Sequence, residues 1–284
     1  MTLLEQTNDL AQPQPNSSKR TSRIKTRINS LAPPTVLFAV IILVWEFLSS
    51  SLSGARKFLL PTPQSVLTQG ILAPDAYTQI LPSFLRTAAL ALSGLLVAMV
   101  LGMLVAALMY QFRWLERASF PYLVALQAVP VLAVAPLVAV VFGYSFFAKG
   151  IVVVLIAFFP IPANFLLGLR SVDKGLIDLF RLNQASWWTR FWKLAFPNSL
   201  PQLLTGFRIS AGLAVIGAIV GEEFFQAGIP GLGMRLLQYL DQVEYHRLYG
   251  ALILSSLLGI TFYTFFTRLS HRLLRNWHES VQSP

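Results

Sequence analysis

The chain has 284 residues, 55% of them hydrophobic and only 12% charged, with a formal net charge of +10 and no cysteine. A soluble domain carries about twice that charged fraction, and without cysteine neither disulfides nor thiolate metal sites can form. The Lys and Arg excess fits the loops of a membrane protein better than a nucleic-acid surface, since no basic helix or aromatic platform accompanies it.

Residues 1–30 are rich in Gln, Asn, Ser and Thr and end in the basic cluster Lys19, Arg20, Arg23, Lys25 and Arg27. The composition reads as a disordered tail, with a short basic interfacial helix as the alternative. No small-residue cleavage site follows the first apolar block, so a removable signal peptide is not expected. The apolar blocks then run from Leu31 almost to the C-terminus without a polar linker. They predict one membrane domain over 31–275, followed by a short polar tail over 276–284.

A helix needs about 20 apolar residues to cross the hydrocarbon core. Residues 35–52, 87–110, 119–147, 151–169, 201–220 and 248–267 satisfy this, with Glu46 and Arg208 as single charges in the first and fifth blocks. Six spans place both termini on one side. That side gathers the basic tail, Arg113, Arg117, Arg170, Lys174, Arg181, Arg190, Lys193, Arg268, Arg272 and Arg275. The other side keeps Arg56, Lys57, Lys149, Arg235 and Arg247. The asymmetry predicts cytoplasmic termini.

The segment from about 170 to 200 is then the long cytoplasmic loop. Leu176, Leu179, Phe180, Leu182, Trp187, Trp188, Phe191, Trp192 and Leu194 interleave with charges at helical spacing. Gln184, Ala185 and Ser186 fit a turn between two short helices, with Ser186 as the N-cap of the second. Pro197 and Pro201 re-aim the chain into the fifth span. Exposed tryptophans on such an elbow imply a protein partner or a place in the headgroup belt.

The loop resembles the coupling loop of binding-protein-dependent ABC importers, in the stretch LIDLFRLNQASWWTRFWKLAFPNSLP. Asp178 stands where that family has a Glu, and Gln184 stands where it has a Gly. FLLPTPQSVL, RWLER, Pro130 and Pro136 with Phe142-Gly143, FFPIPANFLLGLRSVD, GFRISAGLAVIGAIVGE and GIPGLG extend the resemblance over residues 33–275. They are similar to the branch for nitrate, sulfonate, taurine and bicarbonate, which also contains importers of thiamine-precursor pyrimidines.

The resemblance implies an all-α type I importer permease fold with six transmembrane helices in a bacterial inner membrane. It implies no catalytic residue and no cofactor in this chain, ATP and Mg being bound by a partner ATPase subunit. The implied partners are that ATPase, a second permease copy and a soluble or lipid-anchored solute-binding protein. Asp178, Gln184, Ala185, Ser186, Trp188 and Phe191 are the implied ATPase contacts, with Trp188 and Phe191 as apolar anchors. The implied cargo is a small polar solute: an anion such as nitrate, bicarbonate or an organosulfonate, or alternatively a neutral pyrimidine.

Pro130, Pro136 and Arg208 are the candidates for the pathway. Arg208 either lines it as a positive group or snorkels near the interface. Glu222 and Glu223 are expected to pair with Arg86 near the outer mouth, and Glu46 to face other helices. Gly221, Gly228, Gly231 and Gly233 with Pro230 require a sharply turning outer loop. No strand precedes these glycines and no Lys-Ser or Lys-Thr follows, so they are not a phosphate cradle. His246, His271 and His278 are too scattered for a metal site. A secondary transporter would call for an internal repeat or midplane acids, and a membrane enzyme for clustered catalytic groups. Neither is visible in the sequence.

Overall fold

The computed structural model describes residues 18–54 and 58–274, and is helical throughout. The tail residues 1–17 and 276–284 lie outside the described residues. The chain divides into two compact units at Pro63.

The first unit is built on α1 (Ser18–Ser51), whose first thirteen residues fall inside the stretch expected as a tail. Its apolar part, Pro33–Ser51, is long enough to cross a membrane. Val36, Phe38, Leu43 and Phe47 are all exposed on it, as is Glu46. The chain returns along α1 through two bonds: Trp45 Nε1 donates to the Pro61 carbonyl (3.1 Å) and Ser49 Oγ to that of Leu60 (2.8 Å).

The second unit opens with a π-helical turn, Val66–Ile71, and then α2 (Pro74–Gln111). Pro74 sits in the first turn of α2, where its missing N–H costs nothing. At 38 residues α2 is about 57 Å long, well beyond the hydrocarbon thickness. It starts thirteen residues before the predicted span, because the polar first turns also find partners: Asp75 pairs with Arg247.

The third span, expected over 119–147, is not one continuous helix. The chain forms α3 (Arg113–Ala128) and α4 (Val131–Phe142), bent by 103° between them. The cause is local. Pro130 cannot donate a backbone hydrogen bond, and the residue before a proline is driven out of the helical region. Val129 accordingly has ψ 125° and Pro130 ψ 105°. Among the described residues, five stretches are long and apolar enough to cross, and a sixth if the bent pair is one span.

The fourth span is α5 (Phe146–Phe158) followed at once by α6 (Pro160–Arg170). At that junction the Ala157 carbonyl accepts from Ser210 Oγ at 2.6 Å. A neighbouring helix thus bonds to the backbone at this junction, as polar groups in apolar surroundings favour. The chain continues through α7 (Lys174–Leu182), α8 (Trp187–Arg190), a π-helical turn (Phe191–Ala195), α9 (Phe196–Phe224), α10 (Leu232–Asp241) and α11 (Tyr245–Leu274).

Helix α9 is the hub of this unit and packs on α2, α5, α6 and α11. Small residues permit the approach. A Cβ added to Gly217 of α9 would lie 2.9 Å from Val153 Cα, and one on Gly94 of α2 would lie 2.5 Å from Val153 Cγ1. Close small-residue packing is the usual means of helix association where lipid and side chains are equally apolar.

Candidate functional site

The elbow between α6 and α9 is stapled at its base. Asn198 Nδ2 donates to the Gly168 carbonyl (3.3 Å) and to Ser171 Oγ (3.0 Å), joining entry to exit. Asp173 then caps α7 by accepting from the N–H groups of Gly175 (2.8 Å) and Leu176 (3.3 Å). Ser186 Oγ accepts from Thr189 N–H at 3.3 Å, so the N-cap expected at Ser186 is present.

The turn between them depends on Gln184, whose φ is +51°. Gln184 N–H donates to the Arg181 carbonyl (2.9 Å) and Ala185 N–H to that of Phe180 (3.0 Å). This pair of bonds is a Schellman closure with Gln184 in the left-handed position. The cost at this position is steric: an L-residue held in the left-handed region loses about 1–2 kcal/mol. Gln184→Gly should raise the apparent melting temperature in detergent by a few degrees, about 1 kcal/mol of gain at most. Gln184→Val should lower it. Equal melting of all three chains would overturn this account of the turn.

The aromatic residues of the elbow divide between two faces. Phe191 is only 5% exposed: it stacks on Trp187 at 5.1 Å between centroids and meets Tyr110 of α2 at 6.1 Å. Its expected role as an outward anchor is corrected, because it belongs to the core of this chain. Trp188 is 63% exposed and Trp192 is 54% exposed, one helical turn apart. Leu176, Leu179 and Leu182 on α7 are exposed as well. Asp178 is exposed beside them and meets Arg181 at 3.6 Å. The outward set is thus Leu176, Leu179, Leu182, Trp188 and Trp192. Both tryptophans stand in the amphipathic row read from the sequence, but the contacts implied by the resemblance include Trp188 and omit Trp192.

Farther along α9, Arg208 donates to Thr205 Oγ1 at 3.2 Å. It stands at one end of an open groove of about 670 Å³ between α9 and α11, with Gly212, Ile216, Leu252 and Tyr263 along it and Glu223 at the other end. The interior is apolar and the two ends carry opposite charges. Pro130 and Pro136 are exposed on the bent pair and do not line this groove, so the three pathway candidates are not brought together.

At the end of α9 away from the elbow lies a buried polar cluster that sequence reading misassigned. Glu222 is 3% exposed and binds Thr87, not its neighbour Arg86, which is exposed and makes no ion pair among the described residues. Thr87 Oγ1 donates to a Glu222 carboxylate oxygen (2.8 Å) and accepts from Leu232 N–H (2.8 Å). The same carboxylate accepts from Gly233 N–H at 2.9 Å. Lys149, expected in an outer loop, is 6% exposed within α5 and donates to the Ala227 carbonyl at 3.0 Å. Burying both charges is tolerable only with such partners. Together they hold the Gly-rich loop and the start of α10 against α2 and α5. A lone Lys before a long apolar run was the available signal for a buried cation. Among the described residues no group of His, Asp and Glu is gathered that could hold a metal ion.

The comparisons agree with this geometry. Residues 98–276 match the family described as "Binding-protein-dependent transport system inner membrane component". The formylaminopyrimidine transport permease protein ThiX of Halalkalibacterium halodurans is 36% identical over 242 residues, covering 85% of this chain and 94% of the relative. The putative aliphatic sulfonates transport permease protein SsuC of Bacillus subtilis is 29% identical over 250 residues, covering 87% and 88%. The inward-facing MetNI methionine ABC transporter superposes with a TM-score of 0.57 at 18% identity, over 70% of this chain and 98% of that one. That likeness shows the fold alone. The chain belongs to the family of inner-membrane components of binding-protein-dependent transport systems.

Proposed function

We propose that this permease couples solute movement to a partner ATPase through the elbow, in an assembly with a second copy of itself and a solute-binding protein. The observation that carries this reading is the exposed apolar row on a stapled, internally packed elbow: Leu176, Leu179, Leu182, Trp188 and Trp192. Such a patch on a rigid support is a docking surface. In this reading the elbow and both termini face the cytoplasm, in line with the placement of Lys and Arg, and the Glu222 cluster lies at the opposite mouth. Full-length tagged permease purified from its own membranes should bring an ATP-hydrolysing subunit with it, and uptake in vesicles should require ATP. Solute flux by this chain alone, with no ATPase, would overturn the proposal.

The cargo is a small polar solute. The relatedness to ThiX supports a substituted pyrimidine, while Arg208 at the end of an apolar groove supports an anion. Arg208→Ala separates the two. It should reduce anion uptake about tenfold or more, a desolvated charge contact being worth about 1.5–3 kcal/mol, and leave a neutral pyrimidine nearly untouched. Vesicle uptake of both solute types, with membrane abundance measured alongside, decides between them. Equal loss for both would assign Arg208 to structure.

A further inference from the structure

We propose that the notch between the start of α3 and the end of α6 seats the phosphate of an anionic phospholipid. The notch has a volume of about 600 Å³ and is lined by Arg113, Glu116, Arg117, Phe120, Pro121 and Arg170. Its charge is unbalanced. Glu116, the one acid, is engaged by Arg170, whose guanidinium also lies 5.3 Å from the Tyr110 ring centroid. Arg113 and Arg117 sit one helical turn apart, both exposed, with no ion pair among the described residues. Like charges at that spacing repel, and an anion between them removes the penalty.

Position decides what kind of anion. The membrane-crossing stretches Pro74–Gln111 and Phe146–Arg170 both end at this notch, so it lies at headgroup depth. Trp114 and Tyr122 are exposed on α3, as residues of an interfacial aromatic belt are. Phe120 and Pro121 give the notch an apolar wall beside the guanidinium groups. A phosphate carrying acyl chains satisfies both surfaces at once, with Arg supplying the charge-assisted hydrogen bonds. The bend of 103° that follows α3 keeps this helix out of line with α4, and a bound lipid would hold it there.

The test uses the full-length permease purified in mild detergent and examined by native mass spectrometry after exposure to mixed phosphatidylglycerol and phosphatidylcholine micelles. Wild-type protein should retain phosphatidylglycerol in preference to phosphatidylcholine. R113Q/R117Q should lower that retention on the order of thirtyfold, while R113K/R117K, which keeps the charge, should retain most of it. Both residues are exposed, so all three chains should melt alike without added lipid. Phosphatidylglycerol should raise the melting temperature of the wild type and of R113K/R117K, but not of R113Q/R117Q. Equal retention by R113Q/R117Q overturns the proposal. So does protection by inorganic phosphate alone, which would make this a free-anion site. Loss of ATPase association with lipid retention unchanged also overturns it, and would reassign the two arginines to a protein contact.

Discussion

Gly233→Ala should leave little folded permease in the membrane. A Cβ at this position would lie 2.2 Å from the Ile219 carbonyl oxygen and 2.8 Å from Glu222 Cβ, both fixed parts of α9. Neither can rotate away, so α10 has to lift off. Lifting it breaks the bonds from Gly233 N–H to Glu222 and from Leu232 N–H to Thr87, at 2.9 and 2.8 Å. Overpacking costs about 1–3 kcal/mol, and each polar group left buried without a partner about 1–3 kcal/mol more. The total approaches the whole stability of an ordinary domain. Gly150→Ala is the control, since nothing lies within 4 Å of its added Cβ. It should accumulate and melt like the parent. Membrane abundance and detergent melting of the two variants check this, and normal levels of Gly233→Ala would show that α10 is not locked onto Glu222.

Trp188→Ala and Trp192→Ala should weaken ATPase association about thirtyfold and abolish uptake while the permease stays folded. Phe191→Ala should do the reverse, failing first in folding. The exposed tryptophans form no part of this chain's core, whereas Phe191 is packed against Trp187, Tyr110 and Phe196. Truncating a buried interface aromatic costs about 2 kcal/mol or more, roughly thirtyfold in affinity. Truncating a core Phe costs about 3–5 kcal/mol of stability. Pull-down of the ATPase, with membrane abundance and melting recorded for each variant, separates the two. If both tryptophan variants keep full association, the exposed face of the elbow lies among lipid headgroups instead.

What was legible in the sequence follows from the range over which each signal acts. Apolar blocks reveal spans because each block meets the bilayer requirement by itself, and Ser186 reveals a cap because its partner Thr189 is three residues away. The aromatic run behaved otherwise. Helical spacing groups Trp187 with Phe191 and Trp188 with Trp192, but which pair turns inward depends on Tyr110, far away in the chain. The partner of Glu222 was missed for the same reason: Thr87 and Arg86 are adjacent, and only the rotation of α2 decides between them. The bend at Val129 was in principle readable from Pro130, yet the uninterrupted apolar composition of 119–147 outweighed a single proline. Lys149 reads in sequence as a loop charge, because nothing near it in the chain shows that Ala227 and α10 close over it.

Helix α9 runs from the elbow to the Glu222 cluster as one 29-residue element, with the Arg208 groove along its flank. At about 1.5 Å per residue it is a rod about 43 Å long. Tilting such a rod by about 5° at its elbow end carries the far end roughly 4 Å sideways. The staple at Asn198 and the Schellman turn at Gln184 make the elbow a stiff handle for that rod. On the proposed function, a push of ångström size on Trp188 and Trp192 would be felt at the groove and at the Gly-rich loop together, which would gear the two to a single stroke.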